Sequence, residues 1–174
     1  MKKGTRGFSL IELLIVVAII LIIAAIAIPN LLRSRIAANQ ASAVGSLRTL
    51  NTAEVTYSTT YNSGYSATLS DLGPPAASTP TPNSTAAGLI DEVLAGMSTP
   101  GGSATTPNTS QKSGYQFVYS PGATTGTTIT TYSFTASPIS PGTTGTNYYY
   151  TDQSGVIRQN STTTASSTDS PLAG

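Results

Sequence analysis

The chain contains no cysteine and no histidine. Without cysteine there is no disulfide to staple a small fold, so any folded part must be held by its own core. Without histidine the commonest general base and the commonest metal ligand are missing. Ser-His-Asp, Cys-His and HExxH chemistry are therefore excluded. Charge is also scarce: Asp, Glu, Lys and Arg make up 9% of 174 residues, and the formal net charge is +1. Lys2, Lys3 and Arg6 crowd the N-terminus. Only Arg33, Arg35, Arg48, Lys112 and Arg158 remain for the rest of the chain, against seven acids. No basic run is interleaved with aromatics, so no nucleic-acid partner is expected. The length suits one modest domain plus a helix.

What the chain does have is concentrated at its start. A basic leader, residues 1–7, runs directly into an apolar segment that continues to Ile28. A secretory signal peptide places its small-residue cleavage site after the apolar stretch. Here Pro29-Asn30-Leu31-Leu32-Arg33 follows, with no such site. The natural processing point is Gly7-Phe8, before the apolar stretch. Cleavage there removes three positive charges and leaves the hydrophobic helix on the mature chain. Residues 8–28 are long enough to span a hydrocarbon core of ~30 Å, which needs roughly 20 apolar residues. The three leader charges favour a cytoplasmic N-terminus, although Arg33 and Arg35 past the apolar run weaken the asymmetry.

Glu12 stands inside that apolar run. A carboxylate near the centre of a spanning helix costs about 2.5–3.5 kcal/mol on insertion scales. Two readings follow. Either Glu12 lies close enough to the helix start to reach the headgroup region, or it waits for a cation. Cleavage after Gly7 would create one nearby, the new α-amino group of Phe8, and in an oligomer that amine can come from a neighbouring subunit.

The octapeptide Gly7-Phe8-Ser9-Leu10-Ile11-Glu12-Leu13-Leu14 resembles the processing and methylation motif of type IV pilins and type II secretion pseudopilins. Pro29 also fits their pattern. The resemblance is specific over residues 1 to 35 and beyond that is one of layout. It implies a prepilin peptidase/N-methyltransferase that cuts after Gly7 and N-methylates Phe8, and a role for Glu12 in subunit assembly. It further implies storage in the bacterial inner membrane, pilus or secretion assembly machinery as partner, and a homo-oligomeric helical filament as product. One departure is plain: the C-terminal disulfide loop of many pilins cannot form here.

Beyond Pro29, Ile36, Ala43, Val44, Leu47, Leu50 and Val55 recur at helical steps, while Arg33, Arg35, Asn39, Arg48, Asn51 and Glu54 fall mostly between them. This is an amphipathic stripe, and Asn62-Ser63-Gly64 offers its stop. One helix over residues 8–61 would be ~80 Å long. Pro29 inside it reads as a kink at the membrane exit, or as a weak point where the helix bends or melts during filament packing. Ser70-Asp71-Leu72 reads as a short turn. Residues 74–113 are rich in Pro, Ser, Thr and Gly and read as surface loop, with one short helix over 86–97 where Ile90, Val93, Leu94 and Met97 keep helical spacing.

The period then changes to two. Residues 115–119, 129–136, 147–151 and 156–158 read as four antiparallel strands, with Asp152-Gln153-Ser154-Gly155 as a hairpin connection. Tyr115 and Tyr148 to Tyr150 read as alternately buried and exposed strand residues, with a carbohydrate or surface-binding patch as the other possibility. The expected fold class is α+β: a long N-terminal helix, half membrane and half amphipathic, packed on a small antiparallel sheet of about four strands, pilin-like. The expected divisions are a leader (1–7, removed), a transmembrane and assembly half-helix (8–30), a periplasmic or extracellular head (31–159) and a flexible Ser/Thr-rich tail (160–174). Three Asn-x-Ser/Thr triplets, at Asn83, Asn108 and Asn160, are easy chance matches in this composition.

No catalytic constellation is visible. Lys112 between Ser110 and Ser113 is a poor Ser–Lys dyad, Asp91-Glu92 points its carboxylates apart on a helix, and Asp152 lacks the oxygen ligands that Ca²⁺ takes. No enzyme activity, cofactor or metal is expected. The reading is a structural subunit of a type IV pilus filament, polymerised through its N-terminal helix; the alternative is a major pseudopilin of a type II secretion system. A monomeric, single-pass anchored binding module is a further alternative, and it leaves Glu12 without a partner. Before assembly the chain would sit in the inner membrane. Afterwards it would form a cell-surface pilus or a periplasmic pseudopilus.

Overall fold

The computed structural model describes residues 8–99, 102, 106 and 108–172. The chain divides into two compact units, Met1–Arg35 and Ile36–Gly174. A single helix, α1 (Leu10–Tyr61), runs through both. Within the first unit α1 is apolar on every face from Leu13 to Ile28, and its large side chains are exposed, from Leu10 at 80% through Ile20 and Ile28 to Leu31. A helix that is hydrophobic all round needs lipid or other protein around it. It is long and apolar enough to cross a membrane. Pro29 lies inside α1, and the helix continues past it. The proline nitrogen has no hydrogen to give, so the carbonyl of Ala25 loses its usual intrahelical donor.

In the second unit the buried face of α1 follows steps of four and three: Ala43, Leu47, Leu50, Glu54 and Tyr57. Val55, expected on this stripe, is exposed. It lies five residues past Leu50, off the face that alternating steps of three and four maintain. Asn51 and Glu54, expected on the polar side, are buried instead. The helix ends where Asn62 (φ 52°) and Gly64 (φ 84°) enter the left-handed region, as the sequence indicates.

The sheet has five strands, one more than expected. In chain order the strands are β1 (Thr109–Lys112), β2 (Tyr115–Pro121), β3 (Thr124–Thr125), β4 (Thr128–Ile129), β5 (Tyr132–Pro138), β6 (Tyr148–Asp152) and β7 (Arg158–Asn160). The main sheet runs β1-β2-β5-β6-β7, antiparallel throughout, and β3 and β4 form a separate small ribbon. Its register sets Phe117 opposite Ala136, Tyr119 opposite Phe134 and Ala136 opposite Tyr149. One face therefore carries Tyr115, Phe117, Tyr119, Tyr132, Phe134, Ala136 and Tyr149, all buried in one cluster with the α1 stripe. Tyr148 and Tyr150 flank buried Tyr149 and are half-exposed, which is the alternation expected of a strand.

β1 was missed because Thr-Ser-Gln-Lys is polar and occupies a sheet edge, where only one residue in the strand, Ser110, is buried. The strand expected over 129–136 begins only at Tyr132, because Ile129 belongs to the ribbon and its carbonyl accepts from the Tyr65 N–H (2.9 Å).

The helix expected over 86–97 is absent. The N–H groups of Ala87, Gly88, Leu89 and Ile90 donate to the carbonyls of Asp71, Gly73, Leu72 and Leu72 at 2.7–3.1 Å. That backbone is committed to pairing with the turn formed by the 3₁₀ helix Leu69–Leu72. A single tight turn follows, with Ala95 N–H on Asp91 O (3.0 Å) and Met97 N–H on Glu92 O (2.9 Å). Gly96 (φ 71°) ends it. One turn suffices to bury Ile90, Leu94 and Met97.

Residues 160–172, expected as a flexible tail, fold back along β7. Gln159 N–H donates to Ser170 O (3.0 Å) and Leu172 N–H to Ile157 O (2.7 Å). Ala165 is buried, and Leu172 packs on the core. These two apolar residues and Asp169, which accepts from Ser166 and Asn160, give the segment a reason to stay down that its Ser/Thr composition conceals.

Candidate processing and assembly site

Gly7 lies outside the described residues. Phe8 is 74% exposed, and α1 opens two residues later. Ser9 accepts the first helical bond, from Leu13 N–H at 3.2 Å. Its own N–H donates to Glu12 Oε2 at 2.9 Å. Ser9-Leu10-Ile11-Glu12 thus has the spacing of a capping box, with the carboxylate at the third helical position reaching back to the cap. Two effects favour Glu12 here. It satisfies a backbone donor that the helix cannot satisfy itself, and it sits at the positive end of the helix dipole. Within one subunit, then, Glu12 already has a partner. That partner is a neutral N–H, and among the described residues no cation pairs with the carboxylate.

The head's other sequence candidates disperse. Lys112 Nζ bonds Asp91 Oδ2 at 2.7 Å, which turns it away from any Ser–Lys dyad. Burial works against the Asp91 charge, but the bonds from Lys112 and from the Leu94 and Val93 N–H groups outweigh it and hold Asp91 below the usual carboxylate range. Ser113 Oγ accepts from Ser42 Oγ (2.9 Å). Asp152 Oδ1 accepts the Ser154 N–H (2.9 Å) and so shapes the hairpin turn. Among the described residues no group of three or more acidic, histidine or cysteine side chains could hold a metal.

Sequence reasoning missed two buried polar sets that tie α1 to the sheet. Asn51 Nδ2 donates to Thr151 Oγ1 (2.8 Å) on β6 and its Oδ1 accepts from Tyr132 Oη (3.2 Å) on β5. Glu54, 0% exposed, accepts from Ser66 N–H (3.0 Å) and Ser66 Oγ (2.6 Å). Tyr119 Oη on β2 completes the set by donating to Ser66 O (2.6 Å). Burial raises the Glu54 pKa, against the lowering effect of the Ser66 bonds. Burial also raises the Tyr119 phenol, with the Glu54 charge adding to it. The step pattern of α1 could have found Glu54, since it falls on the apolar stripe, but its charge suggested the opposite face.

Residues 2–28 match the family model described as the prokaryotic N-terminal methylation motif. The match begins in the leader and ends at the last residue of the apolar run. Over its N-terminus the chain is similar to type IV pilins. It is 52% identical over 52 residues to the type IV major pilin protein PilA of Myxococcus xanthus, covering 30% of this chain and 24% of that protein. It is 62% identical over 37 residues to the type IV wide pilus major component PilA4 of Thermus thermophilus, covering 21% and 28%. The matched part thus spans about a quarter of each of these curated relatives. No solved structure matches the chain. A prepilin motif followed by an exposed apolar helix is the layout of a membrane-anchored pilin.

Proposed function

We propose that this chain is the structural subunit of a type IV pilus. A prepilin peptidase cuts between Gly7 and Phe8 and methylates the new Phe8 amine. The subunit is then stored in the inner membrane with its N-terminus on the cytoplasmic side, consistent with the three leader charges, and is polymerised through α1 by the pilus assembly machinery. The observation that carries this reading is the retained helix: the methylation motif over residues 2–28 leads into a segment exposed and apolar on all faces. Such a surface is stable in lipid, and in water only when copies cover one another. The names of both relatives, a type IV major pilin and a type IV wide pilus major component, support pilus over pseudopilus. In the assembled filament Glu12 exchanges its own Ser9 N–H for the Phe8 amine of a neighbouring subunit.

The test is the intact mass of the chain from purified filaments. A mature chain that starts at Phe8 and carries one added methyl group is expected. A chain that starts at Met1, or filaments that lack the chain altogether, would overturn the proposal.

A further inference from the structure

Where α1 ends, the head holds an open cleft of about 470 Å³. Three tyrosines spaced four residues apart, Tyr57, Tyr61 and Tyr65, line it together with Asp71, Ser84 and Ile129. The rings are fixed. Tyr57 Oη donates to Ser84 O at 2.6 Å. Tyr61 packs on Tyr57 with centroids 4.9 Å apart and planes at 52°, so the two make a corner rather than a flat wall. Tyr65 is braced edge-on by Tyr132 at 4.6 Å. Asp71 Oδ2 accepts the Thr68 N–H at 2.8 Å, which fixes the carboxylate without neutralising it. Among the described residues no lysine or arginine lines the cleft or pairs with Asp71.

Aromatic faces carry negative charge density and attract cations, more strongly where water is excluded. A carboxylate beside them adds a full charge. Among the described residues no cation offsets Asp71. The Tyr57 phenol responds to this setting: burial raises its pKa, and the Asp71 charge raises it further. An anion would meet uncompensated repulsion. A neutral ring could stack on the tyrosines but would not use the charge.

We propose that this cleft is a binding site for a small organic cation, an alkylammonium or quaternary ammonium group, held between Tyr57, Tyr61 and Tyr65 with Asp71 as its counter-ion. The site does not depend on the polymerisation reading, because all its residues lie in the head.

The test uses the full-length chain in a neutral detergent, with tetramethylammonium chloride titrated calorimetrically at constant ionic strength. Saturable one-site binding is expected, with neopentyl alcohol, a neutral molecule with the same branched skeleton plus one hydroxyl, binding about tenfold or more weakly. Asp71→Asn keeps an acceptor for the Thr68 N–H and should weaken tetramethylammonium binding by a similar factor. Tyr61→Leu removes one half-buried ring and should weaken it by several-fold. If Asp71→Asn fails to fold, Tyr61→Leu decides alone. Absence of saturation, equal binding of neopentyl alcohol, tighter binding of a methyl hexoside, or undiminished binding in either folded variant would overturn the proposal.

Discussion

At the scale of single residues, the most consequential departure from expectation is Glu54. It occupies a core position of α1 and is closed in by Ser66 and Tyr119. Because burial raises its pKa from 4.5, the folded chain holds this proton to higher pH than the unfolded chain does. Between the two pKa values the native state binds more protons, so stability falls as pH rises. The contribution is fully present below about pH 4.5 and is lost as pH climbs through the raised folded value. Glu54→Gln keeps an acceptor for Ser66 and removes the charge. Its melting temperature should therefore exceed that of the parent once the pH has passed the raised folded value, and converge with it at acid pH. Glu54→Leu should be worse than either, since it strands the Ser66 donors in the core at a cost of about 1–3 kcal/mol. Thermal melts over a pH series would check all three. A parent whose stability rises from acid to neutral pH, with other carboxylates accounted for, would contradict the sign.

Elements were legible in proportion to how much of their information is local. The helix could be read from its apolar steps and its Asn62-Ser63-Gly64 stop. β2 and β5 could be read from alternating aromatics, and β6 from Tyr148-Tyr149-Tyr150 with its Asp152–Gly155 turn. What escaped depended on partners far away in sequence. Thr109–Lys112 is a strand only because β2 offers it an edge. Residues 87–90 resemble a helix start but spend their N–H groups on residues 71–73. The tail is held by Ile157, Ser166 and Asp169 rather than by any period of its own. The loop between β5 and β6 shows the same dependence. A Cβ on Gly145 would collide with the hydroxyl and ring of Tyr115, which is fully buried and donates to Asn147 O at 2.8 Å. Gly145→Ala should destabilise the head by about 1–3 kcal/mol through overpacking. At Gly45, inside α1, an added methyl group would have nothing within 4 Å of it, so Gly45→Ala should gain about 0.5–1 kcal/mol from helix propensity. Denaturant melts of the two variants should shift in opposite directions; a shared direction would sink the packing argument.

At the scale of the whole molecule, the proposed function requires a stored monomer to become a filament, and Glu12 is where the structure bears on that step. Read from sequence alone, Glu12 is either an interfacial residue or one half of an ion pair. The structure adds a third role, since its carboxylate caps its own helix through Ser9 N–H. The roles respond differently to substitution. Glutamine at this position of a capping box still accepts the bond, so Glu12→Gln keeps the helix start and loses only the charge. Glu12→Val loses both. Neither adds a cost to membrane insertion, because each replaces a charge with a less polar group. In a filament, removing the carboxylate leaves the Phe8 amine of the neighbour charged and unpaired in an apolar core. Breaking a buried pair in this way costs about 3–5 kcal/mol, which is roughly a hundredfold or more in subunit affinity. Both variants should therefore accumulate in the membrane as processed monomer, with few or no filaments on the cell. Co-expression with the parent chain should restore partial incorporation, since a mixed filament dilutes the defect. Counting filaments by electron microscopy beside membrane-fraction immunoblots separates the roles. If Glu12→Gln polymerises like the parent and only Glu12→Val fails, capping is the function of Glu12. If both polymerise normally, neither pairing nor capping is required. Failure of both, with insertion and processing intact, leaves the charge itself as the group that drives subunits together.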